Sequence, residues 1–209
     1  MNLCKKGLLV ILCLSMFLGA CFNPKHPRNK MHFYILDYDP PRIIDLKPLS
    51  HVIRIGRFCV APLYNTTHII YQDDSFKRDA YVYHKWRVNP GDLVTCLLRR
   101  DIKESGLFKA VLPNESRFIS SYMMEGVVED FFERDLKEAW EAVLGISITL
   151  MAEREPDISK KIIFQKTYRA QEVCKQKNPQ ALAVAMSQAM AKVSEKIIRD
   201  TYRYLKDRK

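Results

Sequence analysis

The chain has 209 residues, six cysteines and a formal net charge of +10. This length is enough for a single domain with a buried core. The excess of basic over acidic residues favours anionic partners such as phospholipid headgroups, lipopolysaccharide, cell-wall polymers or an acidic protein face. The alternative is that the basic surface is solvated and has no specific partner. The sequence contains no C-x-x-C pair and no cysteine–histidine spacing of a zinc site, which excludes the common structural metal motifs.

The first twenty residues have the three parts of a secretory signal. Lys5 and Lys6 form a short positive region, and residues 7–20 then carry no charge. This uncharged run is shorter than the roughly 20 residues that a bilayer-spanning helix needs. The sequence therefore predicts a cleaved signal peptide over residues 1–20, whose loss removes Lys5 and Lys6 and lowers the net charge from +10 to +8.

The residues just before Cys21 resemble the lipobox of bacterial lipoproteins, with the small pair Gly19 and Ala20 preceded by Leu18. The resemblance implies a diacylglyceryl group on the Cys21 thiol, cleavage before this cysteine, and acylation of the new amino terminus. The alternatives are an uncleaved signal anchor and an ordinary signal with an incidental cysteine. Because Phe22 rather than aspartate follows the cysteine, we expect the outer membrane rather than the inner one. Export also makes nucleic acid a poor partner.

A flexible tether is predicted over residues 21–31, which include two prolines and four basic residues and can bury little. A domain is predicted over residues 32–207. Its first strands are expected at 32–36 and 52–60. Two short strands at 69–71 and 80–84 flank a polar turn and suit a hairpin.

Two predicted helices begin with the same pair of residues, an asparagine followed by a proline. Asn89 precedes Pro90, and Asn178 precedes Pro179, so that each asparagine can cap the open amides and each proline occupies the first helical position. Gly106 is expected to end the first helix. Further strands are predicted at 107–112, 117–132, 140–150 and 160–168. The predicted fold class is α+β: a mostly antiparallel sheet with helices packed on it, in a two-layer sandwich.

Four aromatic residues lie around the hairpin and the first helix start: Tyr71, Tyr81, Tyr83 and Trp86. They are interpreted either as a core or sheet-face cluster or as a contact site for a partner, because aromatic residues dominate interface energetics. The cysteines of the domain, Cys59, Cys96 and Cys174, are expected to be buried and apolar.

Motifs of catalysis are absent from the sequence. There is no G-x-S-x-G elbow, no H-E-x-x-H helix and no glycine-rich phosphate loop. We therefore expect no catalytic residue, no metal site, no enzyme activity, and no cofactor beyond the covalent diacylglycerol and acyl groups on Cys21.

Several segments together resemble the ABC-type transport auxiliary lipoprotein family, the PqiC/YmbA-like proteins, over about residues 32–205. The features that carry the resemblance are the lipobox, Phe33-Tyr34-Ile35-Leu36-Asp37, Ile55-Gly56-Arg57-Phe58-Cys59-Val60-Ala61-Pro62-Leu63-Tyr64, Ile70-Tyr71, Tyr83-His84-Lys85-Trp86, Tyr122, Gly126, Phe131, the strand pair and the final alanine-rich helix. The resemblance implies a fold related to the amino-terminal domain of TolB.

The same resemblance implies a function. Family members accompany MCE-domain lipid transporters, so the expected role is that of a lipid-anchored accessory protein facing the periplasm, which docks or stabilises the trans-envelope assembly. An MCE-domain protein is the expected partner, and the oligomeric state is left open. The alternatives are an activator of cell-wall synthesis, a component of lipopolysaccharide export, and a domain that carries lipid itself.

Overall fold

The computed structural model describes residues 30–44, 46–75 and 77–208. The predicted signal peptide, with Leu18, Gly19 and Ala20, lies outside the described residues, as do Cys21 and most of the tether. Met31–Lys209 form one compact unit. In the described ranges the strands are β1 His32–Tyr34, β2 Leu49–Ile55, β3 Cys59–Val60, β4 His68–Gln72, β5 Arg78–Trp86, β6 Phe108–Pro113, β7 Tyr122–Asp135, β8 Trp140–Ala152 and β9 Ile162–Val173; the helices are α1 Pro90–Glu104, α2 Ile158–Lys161 and α3 Pro179–Leu205.

The sheet is organised around the long strand β7. One edge of β7 pairs with β8 in an antiparallel ladder that runs from Tyr122 opposite Ala152 to Asp135 opposite Trp140, and β8 pairs likewise with β9. The other edge of β7 is shared by three short strands, with β2 beside its start, β3 beside its middle and β4 beside its end. These three pairings are parallel, so the sheet is mixed, with its longest ladders antiparallel.

Beyond these strands the sheet extends in two branches. β6 continues in parallel from β2, whereas β5 pairs antiparallel with β4 and carries β1 on its outer edge. Helix α3 packs along β8 and β9, and α1 packs on β6 and β7. The predicted α+β class, a sheet with helices packed on it, is confirmed, whereas the comparison with TolB stays a prediction.

Both predicted helix starts are confirmed by their capping bonds. The Asn89 side-chain oxygen accepts the Gly91 N–H at 2.9 Å, and that of Asn178 accepts the Ala181 N–H at 2.8 Å. These bonds satisfy amides that the first helical turn leaves open. Helix α1 ends just before Gly106, whose φ of 65° suits a residue without a side chain.

Helix α3 supplies one wall of the core. A single stripe of its residues is fully buried at the three- and four-residue spacing that a helix face requires: Leu182, Met186, Ala189, Val193 and Ile197. This stripe was predicted from the sequence. None of the helices within the described ranges has the length and apolar character needed to cross a bilayer.

Several predicted strand boundaries are wrong, and two of them change the description of the sheet. The strand expected over 52–60 is broken between β2 and β3: Ile55 and Phe58 are both buried although they are three positions apart, so strict alternation stops after Ile55. The strand expected from Arg117 begins only at Tyr122, because residues 114–121 form a loop. This loop contributes to the site described below.

The three cysteines do not share one environment. Cys174 is buried as predicted, and burial raises the pKa of its thiol to about 11. Cys59 and Cys96 are exposed, which corrects the expectation for these two. Cys59 lies on the two-residue strand β3, and Cys96 lies on the solvent side of α1.

Candidate functional site

The structure separates the four aromatic residues that were proposed as a partner contact. Trp86 is only 1% exposed, and its ring packs edge-on against Phe131 with centroids 5.2 Å apart. A side chain so deeply buried offers no surface to a partner. The interface hypothesis is therefore corrected for Trp86, which belongs to the core.

The three tyrosines of that group lie closer to the surface. Tyr71 and Tyr81 contact each other with centroids 5.0 Å apart, whereas Tyr83 is 41% exposed. The Tyr81 hydroxyl donates to Glu133 of β7 at 3.0 Å. Because this bond holds Tyr81 in place, the cluster has a structural role, and the interface hypothesis for Tyr71, Tyr81 and Tyr83 stays a prediction.

Glu133 is a fully buried carboxyl group. Burial raises its pKa to about 7, against the opposing effect of the hydrogen bond from Tyr81. Since the folded protein holds this proton more tightly than the unfolded chain does, the folded state loses stability as the pH rises from about 4.5 to about 7. At about one pH unit above 7 and higher, the carboxyl group is almost fully ionised in both states and this loss is nearly complete.

We expect the Glu133→Gln variant to lose this pH dependence. The glutamine oxygen can still accept from Tyr81, but no charge is buried at high pH. Compared with the unmodified protein, the variant should gain about 2–3 kcal/mol of stability between pH 5 and pH 8. Urea unfolding at both pH values measures the difference. The control Glu125→Gln, at an exposed position of the same strand, should follow the unmodified protein, and an equal profile for Glu133→Gln would contradict the assignment.

A second region stands out because a loop presents apolar side chains to solvent. Residues 114–121 connect β6 to β7, and Phe118 and Ile119 at their centre are 78% and 68% exposed. Adjacent large apolar side chains on a surface mark interaction sites more often than isolated ones do.

This loop is held in a fixed conformation by Arg54 of β2. The Arg54 guanidinium donates to the carbonyls of Ser116 and Phe118 and forms an ion pair with Glu153 at 3.0 Å. The Ser120 hydroxyl donates to the same carboxylate at 2.6 Å. Burial alone would raise the pKa of Glu153, but the hydrogen bonds from Ser120 and Arg54 outweigh it and lower the pKa. The apolar pair therefore projects from a rigid support.

A third exposed apolar side chain, Ile158, lies at the same end of the sheet. Tyr122, the first residue of β7, pairs with Ala152, the last residue of β8, so the connection from β8 to β9 lies beside the loop. Helix α2 in this connection carries Ile158, which is 84% exposed. Asp157 caps α2 by accepting the Ser159 N–H at 3.0 Å.

An open cavity of about 710 Å³ lies between the loop and the carboxyl end of α3. Its lining comprises His51, Val52, Ile119, Ser120, Ser121, Tyr122, Ala152, Arg154, Glu155 and Arg208. A volume of this size falls in the range of small-molecule and side-chain pockets. We call Phe118, Ile119, Ile158 and this cavity the distal surface.

The distal surface lies away from the point where the chain enters the folded unit. His32 pairs with His84 of β5, and the next residue of β5, Lys85, pairs with His68 of β4. β4 runs parallel to β7, with Tyr71 opposite Glu133, so His68 and the start of the unit lie at about the level of Asp130, whereas the distal surface lies before the first residue of β7. At about 3.3 Å per residue, roughly 25 Å of strand separates the two places.

Sequence reasoning missed the distal surface. The available signal was the pair Phe118-Ile119 between Arg117 and Ser120-Ser121, an apolar pair in a polar segment. Because apolar and polar residues alternate loosely from Arg117 onward, this segment is predicted as the start of a strand rather than as a loop. Among the described residues, no group of three or more histidine, cysteine or acidic side chains is placed to hold a metal ion.

The chain matches no protein-family model and no curated protein. Its fold is similar to the crystal structure of protein XCC0632 from Xanthomonas campestris, of family DUF330, with a TM-score of 0.73 and 15% identity over 82% of this chain and 95% of that chain. It is also similar to a crystal structure of an uncharacterized protein, with a TM-score of 0.64 and 11% identity over 82% of this chain and 99% of the other. At these identities the similarity establishes a shared fold.

Proposed function

We propose that this protein is a lipid-anchored accessory protein of the cell envelope that faces the periplasm and docks a trans-envelope lipid transport assembly. The anchor is the acylated Cys21, and the outer membrane is the favoured location because Phe22 follows it. The docking element is the distal surface, and the partner is an MCE-domain protein. The protein has a binding role in this assembly and carries out no reaction of its own.

One observation supports this proposal most: the chain enters the folded unit at a place that is separated along β7 from the distal surface. The lipobox precedes the folded unit by about ten residues, and these reach at most about 35 Å when fully extended. The folded unit starts at about the level of Asp130 of β7, whereas the exposed apolar residues Phe118 and Ile158 lie before the first residue of that strand. A tethered protein whose exposed apolar residues lie away from the start of its folded unit is suited to join a membrane to a partner.

The chemistry of the distal surface supports a protein partner. Interface cores are rich in aromatic and aliphatic side chains, and their rims are polar. Phe118, Ile119 and Ile158 provide the apolar part, while Arg154 and Arg208 provide a basic rim. Because Arg54 holds the backbone carbonyls of Ser116 and Phe118, less of the loop backbone has to be ordered when a partner binds, which lowers the entropy cost of binding.

The assignment to lipid transport rests on the family resemblance. The similarity to a DUF330 structure supports a fold of the PqiC/YmbA-like type. Such proteins accompany MCE-domain transporters, and the same role is proposed for this chain. An activator of cell-wall synthesis or a lipopolysaccharide-export protein would have the same export signals and anchor, so the identity of the partner decides between them.

Photo-crosslinking in the native envelope identifies that partner. A benzophenone amino acid at Phe118 should crosslink to an MCE-domain protein encoded beside a permease and an ATPase. The matched control is Val184, which is 52% exposed near the start of α3, at the opposite end of β7. A probe there should give little of this product. Crosslinks from Phe118 to a cell-wall synthase would favour the alternative, and equal products from both positions would contradict a docking role for the distal surface.

A further inference from the structure

The polar groups around the distal cavity are mainly hydrogen-bond donors. Its lining includes the exposed residues Arg154 and Arg208 and the hydroxyl-bearing residues Ser121 and Tyr122. The Ser121 oxygen already accepts the Val52 N–H at 3.3 Å, which leaves its own hydrogen free to donate. Burial raises the pKa of Tyr122, so this side chain stays a neutral donor. Such a set of donors suits an anionic group.

The two rim arginines have no ionic partner among the residues that the structure describes. Arg154 and Arg208 take part in none of the ion pairs there, although pairs elsewhere involve many of the other cations. Glu155 is the one acidic residue in the lining, and its carboxylate accepts the Asp157 N–H at 3.1 Å. The rim therefore keeps a surplus of positive charge that a carboxylate can neutralise.

His51 fixes the position of Arg208. Its Nε2–H donates to the carbonyls of Leu205 at 3.3 Å and Arg208 at 3.2 Å. Both acceptors are carbonyl oxygens, so Nε2 carries the proton. The His51 ring also packs edge-on against Tyr122, with centroids 5.1 Å apart. These contacts hold the residues that follow α3 against the cavity wall and keep Arg208 on its rim.

We infer that the distal cavity binds an acidic segment of a protein partner, with a carboxylate between Arg154 and Arg208 and an adjacent apolar side chain against Ile119 and Phe118. Paired arginines bind carboxylates through strong charge-assisted hydrogen bonds. Binding of a lipid headgroup to the same arginines is the alternative ligand, and the vesicle measurement below addresses it. This inference rests on the proposed function, because it names the chemistry of the partner that docks there.

The inference is tested with synthetic peptides and the purified domain. The probes are fluorescent twelve-residue peptides of alternating Glu and Phe, alternating Gln and Phe, and alternating Lys and Phe, measured by fluorescence anisotropy. The Glu/Phe peptide should bind most tightly, and its affinity should fall with added salt. The double variant R154E/R208E should weaken this binding by roughly tenfold or more. The control K137E/K175E makes the same change in net charge at exposed lysines near the other end of the sheet and should bind as the unmodified domain does.

A charge swap excludes a simple folding defect. R154E/R208E should bind the Lys/Phe peptide more tightly than the unmodified domain does. Equal binding of the Glu/Phe peptide by R154E/R208E and the control would overturn the inference. A second result would also overturn it: the domain binds phosphatidylglycerol vesicles but none of the peptides, and R154E/R208E abolishes the vesicle binding. The cavity would then be assigned to a lipid headgroup. If Phe118 crosslinks to an MCE-domain protein but both charge variants bind the peptide equally, the proposed function stands and only the acidic chemistry fails.

Discussion

The Cys21→Ala variant is expected to incorporate no radioactive palmitate, because the substitution removes the thiol to which the diacylglyceryl group would be attached. Each buried methylene of an acyl chain contributes about 0.8 kcal/mol to membrane binding, so several chains hold a protein firmly. Their loss should move the variant from the membrane fraction to the soluble envelope fraction, or leave it as an uncleaved precursor. Gel autoradiography of labelled cells measures the first effect, and fractionation measures the second.

The matched control for this experiment is Cys59→Ala. Cys59 is an exposed thiol of the folded domain, so its removal should leave labelling unchanged. Labelling of the Cys21→Ala variant at the level of the control would show that another group carries the acyl chain. The membrane anchor at Cys21 would then have to be abandoned.

The Trp86→Ala variant is expected to lose about 3–5 kcal/mol of stability, which is the usual cost of removing a large buried aromatic side chain. The ring is 1% exposed and packs against Phe131 of β7, so its removal leaves a cavity beside Phe131. Urea unfolding measures the change. The control Tyr83→Ala lies on the same strand but is 41% exposed, and it should cost much less.

A third substitution separates packing from hydrogen bonding at this position. Among the described residues, the Trp86 Nε1 atom is buried without a hydrogen-bond partner. Trp86→Phe removes this unsatisfied donor and keeps part of the ring, so it should cost far less than the alanine change. A Trp86→Ala variant as stable as Tyr83→Ala would contradict the core assignment and restore Trp86 as an interface residue.

The helix starts could be predicted because their causes are local. Asn89 and Asn178 cap amides two and three residues away, so the sequence alone contains both partners of each bond. The apolar stripe of α3 was predictable for the same reason, since its spacing of three and four residues fixes one face of the helix. These elements do not depend on distant parts of the chain.

The remaining features depend on contacts between distant residues. The environment of Trp86 is set by Phe131 of β7 and by an irregular register between β4 and β5, where His68 pairs with Lys85 but Ile70 pairs with Ala80. The loop that carries Phe118 is fixed by Arg54, which lies 64 residues earlier in the chain. No local pattern in the sequence identifies Arg54 as the partner of this loop. The loose alternation of apolar and polar residues from Arg117 onward predicts a strand instead, and this prediction hides the distal surface.

We propose above that an acylated Cys21 holds the protein at a membrane, with the folded unit outside the cytoplasm. Intact mass spectrometry of the protein purified from native membranes tests it most directly. We expect a chain that begins at Cys21 and whose mass exceeds that of the unmodified polypeptide by a diacylglyceryl group and an acyl group on the amino terminus. A full-length mass with residues 1–20 present and no added lipid would contradict it.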